Sequence, residues 1–373
     1  MDIFQQIKRL GFGLMRLPIA GGALDSNEFT AMVKFFIDSG FSYFDTAPGY
    51  MNGLSESYFK QFVSSIYPRH YYQLASKMPA WDTSRIRNQN DVSDIFENSL
   101  INTGVDYFDF YLLHNVGEER TELFDKYHVW EFVHQCKKQG KILHYGISFH
   151  AKAEELDAIL RNHPDLDFVQ LQINYADWND QIVDAKRCYE IAMAHSKPII
   201  VMEPLKGGTL FSLPEKLLEL LNRVNNQSPA SWAFRWLKSL PQVKLVLSGM
   251  SSLEQLKENV RLFETIRPLN KSEKAAIEQI QNIIQEETVI SCTGCRYCRS
   301  VCPSSIPIDQ VLSALNIDSS FNNRNAAMNK YRFQTRDGNL ASTCVQCKMC
   351  ERVCPQHLPI SLLIQNASNI FEK

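Results

Sequence analysis

The chain has little that would suit a membrane, an export route or a polyanionic partner. None of its 373 residues lies in an apolar run that approaches the ~20 residues of a membrane span. Residues 1–8 lack the apolar core of a secretory signal. The formal net charge is -2, which gives no electrostatic reason to bind nucleic acid or an anionic membrane. We therefore expect a cytoplasmic protein with no nucleic-acid partner and no membrane partner.

Cysteine is almost absent from the first 290 residues. Only Cys136 and Cys188 occur there, both within helical patterns, and we predict that they are packing residues. The other eight of the ten cysteines lie between Cys292 and Cys354. In an intracellular chain, such crowding indicates a metal site rather than disulfides.

The length and composition predict one large globular domain with a smaller one attached. Hydrophobic residues make up 45% of the chain and charged residues 21%, which is typical of a globular enzyme. A chain of this length exceeds what one small core needs. Because the composition shifts to cysteines after the short segment 286–288, we place the domains at residues 1–285 and 286–373.

The first domain contains eight repeats of a predicted strand followed by a predicted helix. The strands are expected at 11–17, 41–45, 71–78, 108–114, 142–148, 168–174, 198–205 and 244–249. The helices are expected at 27–39, 55–66, 90–103, 129–139, 153–162, 180–195, 229–240 and 253–265, with a further helix at 271–285. Most strands are apolar throughout, which is typical of parallel strands buried on both faces. The pattern predicts an α/β fold of the (β/α)8 TIM barrel type. A doubly wound sheet is the alternative, but Gly11-Phe12-Gly13 lacks the third glycine of its usual first turn.

Polar side chains follow three consecutive predicted strands. Asp45 closes the second strand, Lys77 the third and His114 the fourth, and Tyr50 lies in the loop after Asp45. The carboxyl ends of barrel strands form the face that carries active sites, and neighbouring strands are ~4.8 Å apart. We expect these four groups to converge in one pocket, although each alone could be a surface charge or a packing residue.

The four side chains together suit the protonation of a carbonyl oxygen. A free tyrosine titrates near pH ~10, and a nearby ammonium lowers that value by stabilising the phenolate. A carboxylate would fix the ammonium and keep it charged, and a histidine could orient the substrate oxygen. The hydride that reduces the carbonyl carbon must come from a cofactor.

These residues stand in segments that resemble the aldo-keto reductase family. The similar segments are residues 11–17, 44–50, 76–77 and 112–114, and the resemblance covers roughly the first 265 residues. It implies that Tyr50 is the proton donor, that Lys77 and Asp45 tune it, and that His114 orients the substrate. It also implies a small-molecule carbonyl substrate, such as an aldehyde, a ketone or a quinone, and NADP or NAD as cofactor.

The same resemblance implies a set of cofactor-binding residues. They are Ser148 and Gln170 for the carboxamide, Met202 where an aromatic ring commonly stacks on the nicotinamide, and Gly249, Met250, Ser251, Gln255 and Asn259 for the adenosine-phosphate end. The chain departs from the family at Phe149, where many members have asparagine. Gly249 and Gln255 replace the lysine and arginine of many NADP-preferring members, so the choice between NADP and NAD stays open.

The cysteine-rich segment contains one motif twice. The pattern C-x2-C-x2-C-x3-C-P places cysteines at Cys292, Cys295, Cys298 and Cys302, and again at Cys344, Cys347, Cys350 and Cys354. This spacing is the signature of ferredoxins with two [4Fe–4S] clusters, whereas structural zinc prefers separated pairs. In two-cluster ferredoxins the fourth cysteine of each motif ligates the other cluster. We therefore expect Cys354 to complete the Cys292, Cys295 and Cys298 set, and Cys302 to complete the Cys344, Cys347 and Cys350 set.

The segment between the motifs, residues 303–343, is longer than in compact bacterial ferredoxins and has helical patterns at 308–315 and 325–332. It resembles the mostly α-helical ferredoxin type, and the whole chain resembles ferredoxin-fused aldo-keto reductases. Three hypotheses follow: a carbonyl reductase with an electron-transfer module, an electron-transfer protein whose barrel docks partners or ligands, and a reductase with structural clusters. The presence of all four catalytic candidates favours the first over the second. A module of this kind implies an external electron-transfer partner, and no stretch predicts a flavin site.

Overall fold

The computed structural model describes residues 3–286, 289–292, 294, 296–354 and 356–373. Eight parallel strands close into a barrel in the order β1-β10-β9-β8-β7-β6-β5-β4. They are β1 (Leu10–Gly13), β4 (Tyr43–Asp45), β5 (Gln73–Met78), β6 (Phe108–Val116), β7 (Ile142–Phe149), β8 (Phe168–Gln172), β9 (Ile199–Met202) and β10 (Val243–Ser248). A short antiparallel hairpin, β2 (Ile19–Ala20) and β3 (Ala23–Leu24), follows β1. The predicted (β/α)8 barrel is confirmed.

The helices of the first 286 residues follow the strands in the expected alternation. They are α1 (Ser26–Asp38), α2 (Ser55–Phe59), α3 (Gln89–Thr103), α4 (Thr121–Lys126), α5 (Val129–Lys138), α6 (Ala153–Asn162), α7 (Ala185–Ala194), α8 (Glu215–Val224), α9 (Pro229–Lys238), α10 (Leu253–Glu264) and α11 (Lys271–Glu286). The remaining ones are α12 (Tyr297–Ser300), α13 (Ile308–Phe321), α14 (Arg324–Gln334), α15 (Met349–Arg352) and α16 (Ile360–Phe371). No described helix is long and apolar enough to cross a membrane.

The amino-terminal end of the barrel is filled by aromatic and aliphatic side chains. Phe4 stacks on Phe110 with ring centroids 5.4 Å apart and meets Phe168 edge-on at 6.3 Å. Close contact between β7 and β8 depends on Gly146, because a Cβ there would lie 2.4 Å from the carbonyl oxygen of Phe168. These contacts bury one end of the barrel and leave the carboxyl ends of the strands to carry polar residues.

Some predicted bounds are wrong for local reasons. The predicted strand 11–17 ends at Gly13, because the chain turns at Leu14 and Met15. The predicted helix 180–195 begins only at Ala185. The Asp180 carboxylate accepts hydrogen bonds from the N–H groups of Ile182 and Val183, at 2.7 and 2.9 Å, and so forms a turn in place of the first helical turn.

Contacts within the chain divide it into two compact units. One comprises Met1–Ile173, Ala185–Pro204 and Leu237–Pro268, and the other comprises Asn174–Asp184, Leu205–Trp236 and Leu269–Lys373. The second unit includes the two cysteine motifs and has a core of its own, in which Tyr331 stacks on Phe371 with centroids 5.0 Å apart. Its cysteine-bearing part is helical, as predicted, and α13 and α14 extend beyond the predicted bounds.

Candidate active site and cysteine cavities

The carboxyl ends of β4, β5 and β6 bring the four predicted catalytic residues together. The Lys77 ammonium donates to the Asp45 carboxylate and, at 2.8 Å, to the Thr46 carbonyl. The same ammonium lies 4.6 Å from the centre of the Tyr50 ring. The Tyr50 ring meets the His114 ring edge-on, with centroids 5.9 Å apart. The four side chains thus form one connected group at the end of the barrel.

Lys77 and Asp45 form a buried ion pair, with only 1% and 3% of each residue exposed. Burial opposes the charge on Lys77, but attraction to Asp45 and Tyr50 outweighs it and raises the pKa of the ammonium. Burial likewise raises the pKa of the Asp45 carboxyl, and Lys77 acts against that rise. The ammonium of Lys77 is therefore retained throughout the neutral range.

The electrostatics of Tyr50 differ from the expectation based on its neighbours alone. Burial raises the pKa of the Tyr50 phenol, and the Lys77 ammonium offsets only part of that rise. Lys77 thus acts in the predicted direction, but the cost of desolvating the phenolate exceeds the attraction of the ammonium, so the pKa of Tyr50 is raised overall. Tyr50 stays protonated at neutral pH, as a proton donor must.

His114 is held in its neutral form. Burial lowers the pKa of its imidazole well below the ordinary value, and the positive charge of Lys77 adds to the effect. A neutral imidazole carries one N–H that can donate a hydrogen bond to a substrate oxygen. This property matches the orienting role that the resemblance implies for His114.

A layer of hydrogen bonds fixes the loop that carries Tyr50. The Ser55 hydroxyl donates to the Leu14 carbonyl at 3.0 Å and contacts the Thr46 hydroxyl at 2.7 Å. Beneath Lys77, the Ser76 hydroxyl donates to the buried Glu56 carboxyl at 2.7 Å. Burial raises the pKa of the Glu56 carboxyl, and the hydrogen bond from Ser76 acts against that rise.

Three residues expected at the nicotinamide lie on the next three strands, β7, β8 and β9. Ser148 and Gln170 are neighbours across β7 and β8 and are 1% and 2% exposed. The Ser148 hydroxyl already accepts a hydrogen bond from the Asn115 N–H at 2.7 Å. Met202 ends β9 and is partly exposed. Phe149, where asparagine is common in the family, is buried and pairs with Leu171.

The five residues expected at the adenosine-phosphate end follow β10, but they differ in accessibility. Met250 is 1% exposed and belongs to the core. Asn259 is also buried, and its amide donates to the Ser248 hydroxyl at 3.1 Å. Ser251 and Gln255 are exposed, and the Gln255 side chain accepts from the Ser251 N–H at 2.9 Å. Gly249 is the turn before Met250 and is exposed as well.

Sequence reasoning missed two residues at this end of the barrel. Arg16 lies against Gly249, whose added Cβ would be 3.7 Å from the Arg16 Cβ, and its guanidinium pairs with Glu203 at 3.1 Å. Trp81 contacts His114 with ring centroids 5.9 Å apart, and its buried indole N–H has no hydrogen-bond partner among the described residues. Arg16 lies within the family-like segment 11–17, but nothing in that segment marked it as functional, and Trp81 belongs to no recognisable motif.

Two cavities in the cysteine-rich part of the chain are lined by cysteines from both motifs. One cavity of about 340 Å³ has Cys302, Cys344, Cys347 and Cys350 in its wall. The other, of about 310 Å³, has Cys292, Cys298 and Cys354 in its wall. Each cavity thus combines cysteines of one motif with the last cysteine of the other. Cys295 lies outside the described residues.

Both cavities are lined by cysteines, the residues that hold iron–sulfur clusters. Within the described ranges, no group of three or more His, Cys, Asp or Glu side chains is arranged to hold one metal ion. Apolar side chains such as Ile306 and Ile360 complete the walls. The chemistry of the described lining residues therefore fits iron–sulfur clusters. Cys136 and Cys188 are buried, as expected of packing residues.

Known protein families match both the barrel and the cysteine-rich segment of this chain. Residues 9–282 match the aldo/keto reductase family, and residues 291–358 match the 4Fe-4S dicluster domain. An aldo-keto reductase of Mycolicibacterium vanbaalenii is 27% identical over 255 residues, which cover 66% of this chain and 83% of that protein. A glyoxal reductase of Bacillus subtilis is 26% identical over 236 residues, covering 60% of this chain and 73% of that protein.

A solved aldo-keto reductase from Klebsiella pneumoniae, in complex with NADPH, has a similar fold. Its TM-score is 0.59 at 21% identity, over 74% of this chain and 91% of that one. The fold and the site define a (β/α)8-barrel oxidoreductase joined to a 4Fe-4S dicluster domain. More particularly, the chain belongs to the aldo/keto reductase family, because that family's model covers well over half of it.

Proposed function

We propose that the barrel reduces a small carbonyl compound, an aldehyde, ketone or quinone, with NADPH or NADH. The observation that carries the proposal is the position of the Lys77 ammonium, which contacts Asp45 on one side and the Tyr50 ring on the other. A bound reduced nicotinamide would supply the hydride. Ser148, Gln170 and Met202 would hold the nicotinamide. The exposed residues after β10, Gly249, Ser251 and Gln255, would bind the adenosine-phosphate end.

The chain's own residues provide the proton and the positioning. Tyr50 donates its hydroxyl proton to the carbonyl oxygen as negative charge develops there, and the Lys77 ammonium stabilises the phenolate that remains. Asp45 holds the ammonium in place and keeps it charged. His114, held neutral, donates a hydrogen bond that orients the carbonyl oxygen. Trp81 forms an aromatic wall beside His114.

We propose that the C-terminal part, residues 286–373, holds two [4Fe–4S] clusters in crossed ligand sets. Cys292, Cys295, Cys298 and Cys354 would hold one, and Cys302, Cys344, Cys347 and Cys350 the other. The composition of the two cavity walls supports this assignment. The clusters would supply transfer of single electrons. Exposure of Cys347 supports this role over a purely structural one, because a thiolate at the surface places a cluster edge near solvent.

The Tyr50→Phe variant tests the proposed reaction. It should lower the rate of aldehyde-dependent NADPH oxidation by ~10²–10⁴, the usual loss when a general acid is removed, and leave cofactor binding unchanged. Tyr43→Phe is the matched control, because the buried Tyr43 hydroxyl lies on the same strand-loop segment and makes no hydrogen bond within the described part of the chain. A Tyr50→Phe protein as fast as Tyr43→Phe would contradict the proposal.

A further inference from the structure

The two cysteine motifs have the same left-handed backbone at two pairs of described positions but differ in part of their surroundings. The second residue after the first cysteine has a left-handed φ in both copies, 64° at Gly294 and 53° at Gln346. The residue before the short helix does so too, with φ of 65° at Arg296 and 58° at Lys348. Because the local conformation is repeated, differences in what covers each copy are informative about their roles.

Part of the first copy packs against the chain's own residues. Gly294 is buried, and a Cβ added to it would lie 3.0 Å from the Cα of Ile182. Arg299 and Arg296 both pair with Asp309, which is fully buried. The two cations of this copy are therefore held against a carboxylate of the chain itself.

The second copy is exposed from residue 345 to residue 349. Gln346 replaces the glycine, and Val345, Met349 and Val353 are 67%, 43% and 37% exposed. Cys347, a wall residue of the larger cavity, is exposed between them. An apolar surface thus borders one cysteine cavity.

The second copy also carries exposed positive charge. Lys348 and Arg352 are exposed at the two ends of one turn, since the Arg352 N–H donates to the Lys348 carbonyl. Glu351 lies between them in the chain, accepts a hydrogen bond from the Ser361 N–H at 2.9 Å, and has its carboxyl pKa lowered in part by Lys348. One acid thus faces two exposed cations in this segment, beside a cysteine cavity.

We propose that residues 345–353, called the 345–353 face, are the docking surface for a small acidic one-electron carrier protein. The inference rests on the proposed function, namely that the neighbouring cavity holds a cluster. One electron passes between that cluster and the carrier, so that one is oxidised as the other is reduced, with no proton moved and no bond made or broken. The basic pair attracts the carrier and sets its orientation, and the apolar residues exclude water at the contact.

The size of this face suits a transient complex. A few apolar side chains and two cations match the small interfaces of electron-transfer encounters, whose buried area is below ~1,200 Å². Such complexes depend on charge for their rate of association and weaken as salt screens it. The proposal therefore predicts a binding affinity that is strongly dependent on ionic strength and on these two residues.

Binding of flavodoxin, used as an acidic one-electron carrier, tests the proposal. The full-length protein with its clusters assembled is titrated under nitrogen by calorimetry at low salt, with iron content measured beforehand. Lys348→Glu/Arg352→Glu should raise the Kd about tenfold or more, since charge reversal turns attraction into repulsion. Lys138→Glu/Lys186→Glu, at exposed lysines of the barrel helices, changes the net charge equally and should leave the Kd within about twofold.

Each outcome of the titration either supports or overturns the proposed docking at the 345–353 face. A selective loss of binding in the first variant, absent from the control and abolished by high salt, supports the proposal. Equal effects in both variants, no flavodoxin binding by the wild type, or a self-association of the wild type that the first variant abolishes would overturn it. If the first variant loses iron, Lys348→Gln/Arg352→Gln takes its place. A wild type that assembles no clusters at all would refute the cluster part of the proposed function itself.

Discussion

Replacing Lys77 by methionine should destabilise the protein and inactivate it, and the two effects can be separated. The substitution keeps most of the side-chain volume but leaves the Asp45 carboxylate buried without its cation, although Asp45 is only 3% exposed. Removal of one partner from a buried pair costs ~3–5 kcal/mol. For a domain of this size, 1 kcal/mol corresponds to ~2–4 °C in Tm, so the expected decrease is roughly 6–20 °C.

The double variant Asp45→Asn/Lys77→Met removes both charges at once. Because no isolated charge is then buried, it should recover at least half of the stability lost in Lys77→Met. Its activity should not recover. Without the ammonium, the pKa of Tyr50 rises further, and the phenol becomes a weaker acid toward the carbonyl oxygen. The reduction rate should therefore stay ~10²–10⁴ below wild type.

Thermal unfolding of the anaerobic protein and aldehyde-dependent NADPH oxidation measure the two effects in parallel. Strictly additive losses of stability in Asp45→Asn, Lys77→Met and the double variant would show that the ion pair does not have the energetic role described. Recovery of the reduction rate in the double variant would show that the Lys77 ammonium does not support Tyr50 as the acid.

Four further outcomes are expected. The reduction rate should stay level from pH ~6 to pH ~9 and fall only near or above the ordinary phenol pKa of ~10, because the pKa of Tyr50 is raised and that of His114 is lowered. A fall centred near pH ~6.5, the ordinary histidine pKa, would contradict this expectation. Protein purified without oxygen should be brown, bleach with dithionite and contain about two clusters of four irons; stoichiometric zinc without sulfide would exclude them. NADPH or NADH alone should not bleach the clusters rapidly, because a hydride carries an electron pair while a cluster accepts single electrons; fast bleaching without a flavin or partner protein would indicate a direct relay. Arg16→Ala should raise the KM for NADPH about tenfold and the KM for NADH less, since Arg16 is the cation found against Gly249; equal changes for both cofactors would refute that role.

The barrel and the polar groups at three of its strand ends could be predicted because both depend on short-range patterns. Apolar runs followed by helical periodicity fix the order of the elements, and the carboxyl ends of parallel strands necessarily share one face. Asp45, Lys77 and His114 could therefore be placed together from their positions in the chain. The crossed cysteine sets follow similarly from a repeated spacing and stay a prediction, and Cys295 lies outside the described residues.

Other features depend on packing that spacing does not encode. Two opposing effects set the net shift of the Tyr50 pKa: burial of the ring raises it, and the attraction of Lys77 lowers it. The sequence shows that Lys77 is near, but it does not show how deeply the ring is buried. Arg16 lies beside Gly249 because β1 and β10 are neighbours in the closed barrel, although the two residues are far apart in the chain. The turn at Asp180 interrupts a helical pattern through a side-chain hydrogen bond, which periodicity cannot reveal.

The most direct test follows a labelled hydride in a single turnover. The wild type and Tyr50→Phe are mixed anaerobically with NADPH deuterated at the transferring C4 position and with 4-nitrobenzaldehyde, and the alcohol formed is analysed by mass spectrometry. The account predicts one deuterium on the alcohol carbon for each NADPH oxidised by the wild type, and almost no product from Tyr50→Phe. Oxidation of NADPH without deuterium in the product, or equal product from both proteins, would contradict it.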